Sequence, residues 1–147
     1  MKPTYSSDPT LDRPTNGLAM SDAVFQYDQI GDILVVTAQG DLFQYRYEDL
    51  RNGYNDTYRM LLDETIKHLV FDFAAVGHFG SSFIGMLIKL AQKVRKDGGE
   101  ALLCSLTDDM REVLQNLMLL ENVKTDFFWV PFDTRAEAIA RLQANAG

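Results

Sequence analysis

The stretch Leu69-Val70-Phe71-Asp72-Phe73-Ala74-Ala75-Val76-Gly77-His78-Phe79-Gly80-Ser81-Ser82-Phe83-Ile84-Gly85-Met86-Leu87 decides the fold. Its first five residues are apolar except for Asp72, the pattern of a strand covered on both faces. Residues 74–80 lose that pattern and carry two glycines, so they read as a loop. From Ser81 the apolar positions become Phe83, Leu87, Leu90, Ala91 and Val94, with Lys89, Gln92, Lys93 and Lys96 between them. That spacing predicts an amphipathic helix over residues 81–96. Asp97-Gly98-Gly99 ends it, with glycine where a left-handed cap is usual. A further apolar run, residues 101–106, completes a strand–helix–strand unit. Such a unit needs a right-handed crossover between parallel strands.

Outward from this unit the alternation continues. Val24, Phe25 and Tyr27 predict a short strand, and residues 28–32 a turn. Ile33-Leu34-Val35-Val36-Thr37-Ala38 predicts a buried strand closed by Gly40-Asp41, with a hairpin joining the two. Leu50, Tyr54, Tyr58, Leu61 and Leu62 recur at helical spacing within residues 45–64, where Gly53 costs about 1 kcal/mol of helix propensity. Thr107 is a natural N-cap for a helix to about residue 119, with Asp108 and Asp109 in its first turn. Phe127-Phe128-Trp129-Val130 predicts a last strand closed by Pro131. Thr134 and Glu137 form a capping box opening a helix from Arg135 to about residue 144. The expected class is α/β, order ββαβαβαβα: a mixed sheet of about five strands with four helices, in one domain spanning residues 23–147. Residues 1–22, with Pro3, Pro9 and Pro14 among polar residues, read as a flexible tail.

Composition narrows the function. The chain has 147 residues, 46% hydrophobic and 24% charged, ordinary values for a globular domain. Fourteen Lys and Arg against 21 Asp and Glu give a net charge of −7, which argues against nucleic acid and anionic membranes as partners. The basic run Lys93, Arg95 and Lys96 reads as a solvated, dipole-favoured helix end. A single cysteine, Cys104, excludes an internal disulfide and a cysteine-based zinc site, and it reads as a packed, inert thiol. No apolar stretch approaches the roughly 20 residues needed to span a bilayer, and the start lacks an apolar signal region, so the expectation is a cytoplasmic protein.

Chemistry in such a sheet gathers where a strand's carboxyl end turns into a helix. Ser81 and Ser82 stand at that turn. One reading makes either serine a helix cap. A second makes one a nucleophile, but Gly80-Ser81-Ser82-Phe83-Ile84 lacks the last glycine of a nucleophile elbow, and His68 and His78 both precede the serines. A third makes one a phosphoacceptor, whose added charge of about −1.5 to −2 the helix start tolerates. Asp72 reads as a loop anchor, His68 as a residue at a strand edge, and Trp129 as cover for the last strand. The tyrosines Tyr45, Tyr47, Tyr54 and Tyr58 read mostly as helix packing, with an exposed subset as an interaction surface. No cofactor, no metal and no catalytic residue is expected.

Residues 24–142 resemble the STAS domain of bacterial anti-sigma factor antagonists. The matching features are Val35-Val36-Thr37-Ala38-Gln39-Gly40-Asp41-Leu42, the strand and loop 69–79, Ser81-Ser82-Phe83-Ile84-Gly85-Met86-Leu87, and Gly98-Gly99-Glu100-Ala101-Leu102-Leu103. In that family the first serine of a D-S-S-G signature is phosphorylated by a cognate anti-sigma factor kinase. The unphosphorylated form captures the anti-sigma factor, and phosphorylation breaks the complex. The resemblance thus implies a regulatory module, not an enzyme. Its partner would be an anti-sigma factor or serine kinase, bound through Val76, Gly77, His78, Phe79, Gly80, Ser81, Ser82, Phe83 and Met86. Ser81 would be the phosphorylation site, with Ser82 the weaker candidate, and self-association is compatible with this reading. Gly80 stands where the family has aspartate, and Phe83 where it has the following glycine. The first loses a carboxylate beside the acceptor; the second is expected to add bulk on or near the docking face. The alternative is a STAS-like scaffold that binds partners constitutively. An enzyme or nucleotide binder ranks behind both, because no Walker A or G-x-G-x-x-G motif is present.

Overall fold

The computed structural model describes residues 24–40, 42, 45–120 and 129–144. The expected tail, residues 1–22, and Phe127 and Phe128 of the expected last strand lie outside the described residues. The elements run β1 (Phe25–Ile30), β2 (Ile33–Gly40), α1 (Tyr47–Met60), β3 (His68–Val76), α2 (Ser81–Lys96), β4 (Ala101–Cys104), α3 (Asp108–Asn116), β5 (Pro131–Phe132) and α4 (Arg135–Ala144). The expected order of five strands and four helices is therefore found. The sheet order is β1-β2-β3-β4-β5. β1 pairs antiparallel with β2, from Phe25 opposite Ala38 to Ile30 opposite Ile33. The remaining neighbours are parallel.

Strand alternation assigns the two faces. Leu34, Val36, Ala38, Leu69, Phe71, Phe73 and Leu103 point to the side carrying α1, α2 and α3 and join the larger core. Ile33, Val35, Val70, Leu102 and Cys104 point the other way, against Ala138 and Leu142 of α4. This two-sided cover is why the strands read as nearly continuous apolar runs. The α2 stripe buries as expected, with Phe83, Leu87, Leu90, Ala91 and Val94 inward. The first helix departs from its expected stripe: Leu50 and Leu61 are buried, but Tyr58 and Leu62 are exposed, and Thr57, outside the stripe, is buried instead. Met110 and Leu114 bury from α3.

Local contacts explain several sequence features. Gly53 lies over Phe25, where an added Cβ would come within 2.8 Å of the ring. Its carbonyl accepts from the Thr57 hydroxyl at 2.8 Å. Gly98 has φ +90°, the left-handed turn that ends α2. The Thr107 hydroxyl caps α3 by accepting from the Met110 N–H at 3.2 Å. Thr134 accepts from the Glu137 N–H at 3.1 Å. Glu137 Oε1 in turn accepts from the Asp133 N–H at 3.1 Å.

The last strand departs from expectation. β5 is Pro131–Phe132, opposite Leu103 and Cys104, and includes neither Trp129 nor Val130. A proline without an N–H fits there because β5 is an edge of the sheet. Trp129 is fully buried and forms an isolated bridge to Leu120. His68 stands at the start of β3, at the edge of that strand, and is mostly buried; its Nδ1 accepts from the Glu100 N–H at 3.0 Å.

Candidate functional site

The carboxyl ends of β2 and β3 build the site. Gly40 at the end of β2 has φ +79°, which turns the chain across the sheet edge. Two backbone hydrogen bonds then join the loops after β2 and β3. The Gly77 N–H donates to the Gly40 carbonyl at 3.2 Å, and the Leu42 N–H to the His78 carbonyl at 2.9 Å. The loop 77–80 is thereby held against the end of β2, and α2 starts from a fixed point.

Asp72 acts within β3, on the opposite face of the sheet. The β2–β3 register shifts between Thr37 opposite Asp72 and Gln39 opposite Ala75, which leaves one extra residue on β3. The freed Ala74 N–H donates to Asp72 Oδ1 at 2.9 Å. Asp72 Oδ2 accepts from Arg135 Nε at 2.9 Å, and the same guanidinium donates to the Thr37 hydroxyl at 2.7 Å. Asp28 lies 3.6 Å from its third nitrogen. Asp72 was expected to end its strand and anchor a loop; because β3 runs on to Val76, it pins the strand bulge instead, and Arg135 was missed. Its signal was a cation at the first position of a helix, where the dipole disfavours positive charge unless an acid compensates. Burial pushes the nearby Cys104 thiol up to about 12, and the charge of Asp72 adds to the rise. Such a thiol is protonated at neutral pH and unreactive.

The serines stand at the first turn of α2, and both are exposed. Gly80 is the N-cap, and no side chain caps this helix. Neither serine therefore fills the capping role that the sequence allows. Neither hydroxyl hydrogen-bonds another described residue. The first turn holds no acidic residue, so its free N–H groups face outward without a compensating charge. Beside the serines lies a shallow cleft of about 230 Å³, lined by Leu42, Tyr45, Tyr47, Leu50, Gly80 and Phe83. Tyr47, 60% exposed, is its most prominent aromatic. The sequence placed the tyrosines largely in packing and did not single out Tyr45 and Tyr47 for the site.

The expected docking residues divide by burial. Gly77, His78, Ser81 and Ser82 are exposed and Gly80 is half-buried, whereas Val76, Phe79, Phe83 and Met86 are buried. Val76 also belongs to β3 and not to the loop. Phe83, expected to add bulk on or near the docking face, instead points inward at 2% exposure. Its ring centroid lies 5.7 Å from Phe79, 6.0 Å from Phe73 and 6.0 Å from Phe25. The Phe73 pair is edge-to-face at 90°, an arrangement that contributes about 0.5–1.5 kcal/mol beyond burial; the other two are tilted. Phe83 therefore braces the helix start from below and leaves the serines clear.

Among the described residues, no group of three His, Cys, Asp or Glu could hold a metal ion, and no helix is long and apolar enough to cross a membrane.

Comparison with solved structures places this geometry in a known setting. The fold is similar to that of the anti-sigma factor antagonist SpoIIAA of Bacillus, solved unphosphorylated and phosphorylated. For the unphosphorylated form the identity is 18% and the TM-score 0.63, over 81% of this chain and 97% of that one. An anti-sigma-factor antagonist domain protein from Planctomyces limnophilus gives 20% identity and a TM-score of 0.66, over 81% and 97% of the two chains. The murine anion transporter solute carrier 26 family member A9 gives 18% and 0.59, over 80% of this chain and 19% of the transporter. At these identities the likeness is one of fold. The family model described as the STAS domain matches residues 25–138, from β1 into α4, and with that match over most of its length the chain belongs to the STAS domain family.

Proposed function

We propose that this STAS domain is a non-catalytic regulatory module that docks an anti-sigma factor or a related serine kinase at the edge bearing Ser81, and that phosphorylation of Ser81 releases the partner. The observation that carries this reading is the exposed Ser81 hydroxyl on the uncapped first turn of α2. A phosphate there meets free backbone N–H groups and the positive end of the helix dipole, so the fold survives while the surface gains negative charge. SpoIIAA, similar in fold, is known in unphosphorylated and phosphorylated forms, which supports a switch of this kind. The aromatic cleft at Tyr45 and Tyr47 supplies apolar contact area beside the switch.

Gly80 favours a second reading, a scaffold that binds its partner constitutively, because no side-chain carboxylate stands at residue 80 for a kinase to recognise. Capture of partners on the intact chain from its source cells separates the two. Under the switch, Ser81→Asp loses most of the partner retained by the wild type, and Ser81→Ala keeps it. Equal retention by wild type, Ser81→Ala and Ser81→Asp would establish the scaffold.

A further inference from the structure

We propose that the groove between α1 and α2, away from the serine edge, docks an acidic protein segment. Lys89, Lys93 and Lys96 follow one another at helical spacing along α2 and line a cleft of about 350 Å³. Opposite them, Tyr54 and Tyr58 of α1 stand one turn apart, ring centroids 6.1 Å from each other. Asp97 is the one acid lining the cleft, and it is paired with Lys93. Lys89 and Lys96 have no ion pair among the described residues. A chain of net charge −7 thus carries a local excess of cations beside two aromatic faces.

The helix dipole accounts for Lys93 and Lys96, which lie in the last turn of α2. It does not account for Lys89, or for tyrosines facing all three. Arg95 of the same basic run is directed elsewhere, donating to the Ala101 carbonyl at 3.4 Å. The occupant follows from charge. A long polyanion would extend over the acidic remainder of the surface, whereas a short acidic segment feels only its surroundings within a Debye length of about 8 Å. Carboxylates two helical turns apart, about 10.5 Å along the axis, match Lys89 and Lys96, and neighbouring apolar side chains meet the tyrosine rings. Lys93 lies about 18 Å along α2 from Ser81, so this surface does not rest on the phosphoswitch reading.

The test is fluorescence anisotropy with the intact chain and a labelled helical peptide carrying Glu at i, i+4 and i+7 beside leucines, compared with its Gln counterpart. The Glu peptide is expected to bind, and Lys89→Glu with Lys96→Glu to weaken it about tenfold or more. A double variant with the same charge change, Lys67→Glu with Arg141→Glu, is expected to alter binding less than about twofold, and Ser81→Asp likewise. Unchanged thermal melts show that all variants are folded. Absence of binding, equal loss in both double variants, equal binding of the Gln peptide, or displacement by inorganic phosphate or a single-stranded oligonucleotide at the peptide's own concentration would overturn the proposal.

Discussion

Gly99 leaves no room for a side chain: a Cβ there would fall 1.7 Å from the Lys67 carbonyl oxygen. Because the obstacle is backbone, Gly99→Ala must push β3 and β4 apart. It is expected to cost about 3 kcal/mol, read from urea denaturation, whereas Gly77→Ala, with open space around it, changes stability little. The resemblance quoted Gly99, but its obligatory closeness to Lys67 is a contact between segments far apart in sequence that no local pattern encodes. At Cys104 the thiol is raised to about 12 from an ordinary value of 9.0. Between those values the unfolded chain releases a proton that the native chain retains, so this residue lowers stability as pH rises from about 9 towards 12 and contributes no slope below 9. Cys104→Ala is expected to flatten that decline in denaturation curves taken across the range. The native thiol should also resist alkylation at neutral pH until denaturant is added.

At the scale of elements, α2 was legible to the residue because a glycine turn ends it and the loop–serine boundary begins it. Which loop side chains turn inward was not. Phe79 and Phe83 are four residues apart and both join the phenylalanine cluster; helical periodicity puts Phe83 on the apolar stripe, whereas the resemblance puts it on or near the docking face. Phe83→Ala is expected to cost about 3–5 kcal/mol in chemical denaturation, the penalty of emptying a buried phenyl site, and a change under about 1 kcal/mol would place the ring outside the core. The last strand was misplaced for a different reason. Residues 127–130 carry the stronger β signal, whereas Pro131–Phe132 pairs only because the edge of a sheet accepts a residue without an N–H. The capping threonines were legible, since their signal is local. Thr107→Ala is expected to cost about 1 kcal/mol.

Over the whole molecule, Arg135 fastens α4 to the face of the sheet opposite the other helices. It draws together Asp72 of β3, Thr37 of β2 and Asp28 of β1. Removing it leaves the buried carboxylate of Asp72 without its charged partner, so Arg135→Ala is expected to cost about 2 kcal/mol in thermal or urea unfolding. The same carboxylate accepts from the Ala74 N–H at the β3 bulge. The element order and the serine turn were readable because strand and helix periods are local, but the latch unites residues 28, 37, 72 and 135 and becomes visible only in the fold. The proposed switch is tested most directly by phosphosite mapping of the full chain isolated from its own cells, with the bound and unbound pools separated. Phosphate on Ser81 confined to the pool without partner is the expected result. A partner-free pool with no phosphate on Ser81, or phosphate on Ser81 in complexes that remain intact, would contradict it.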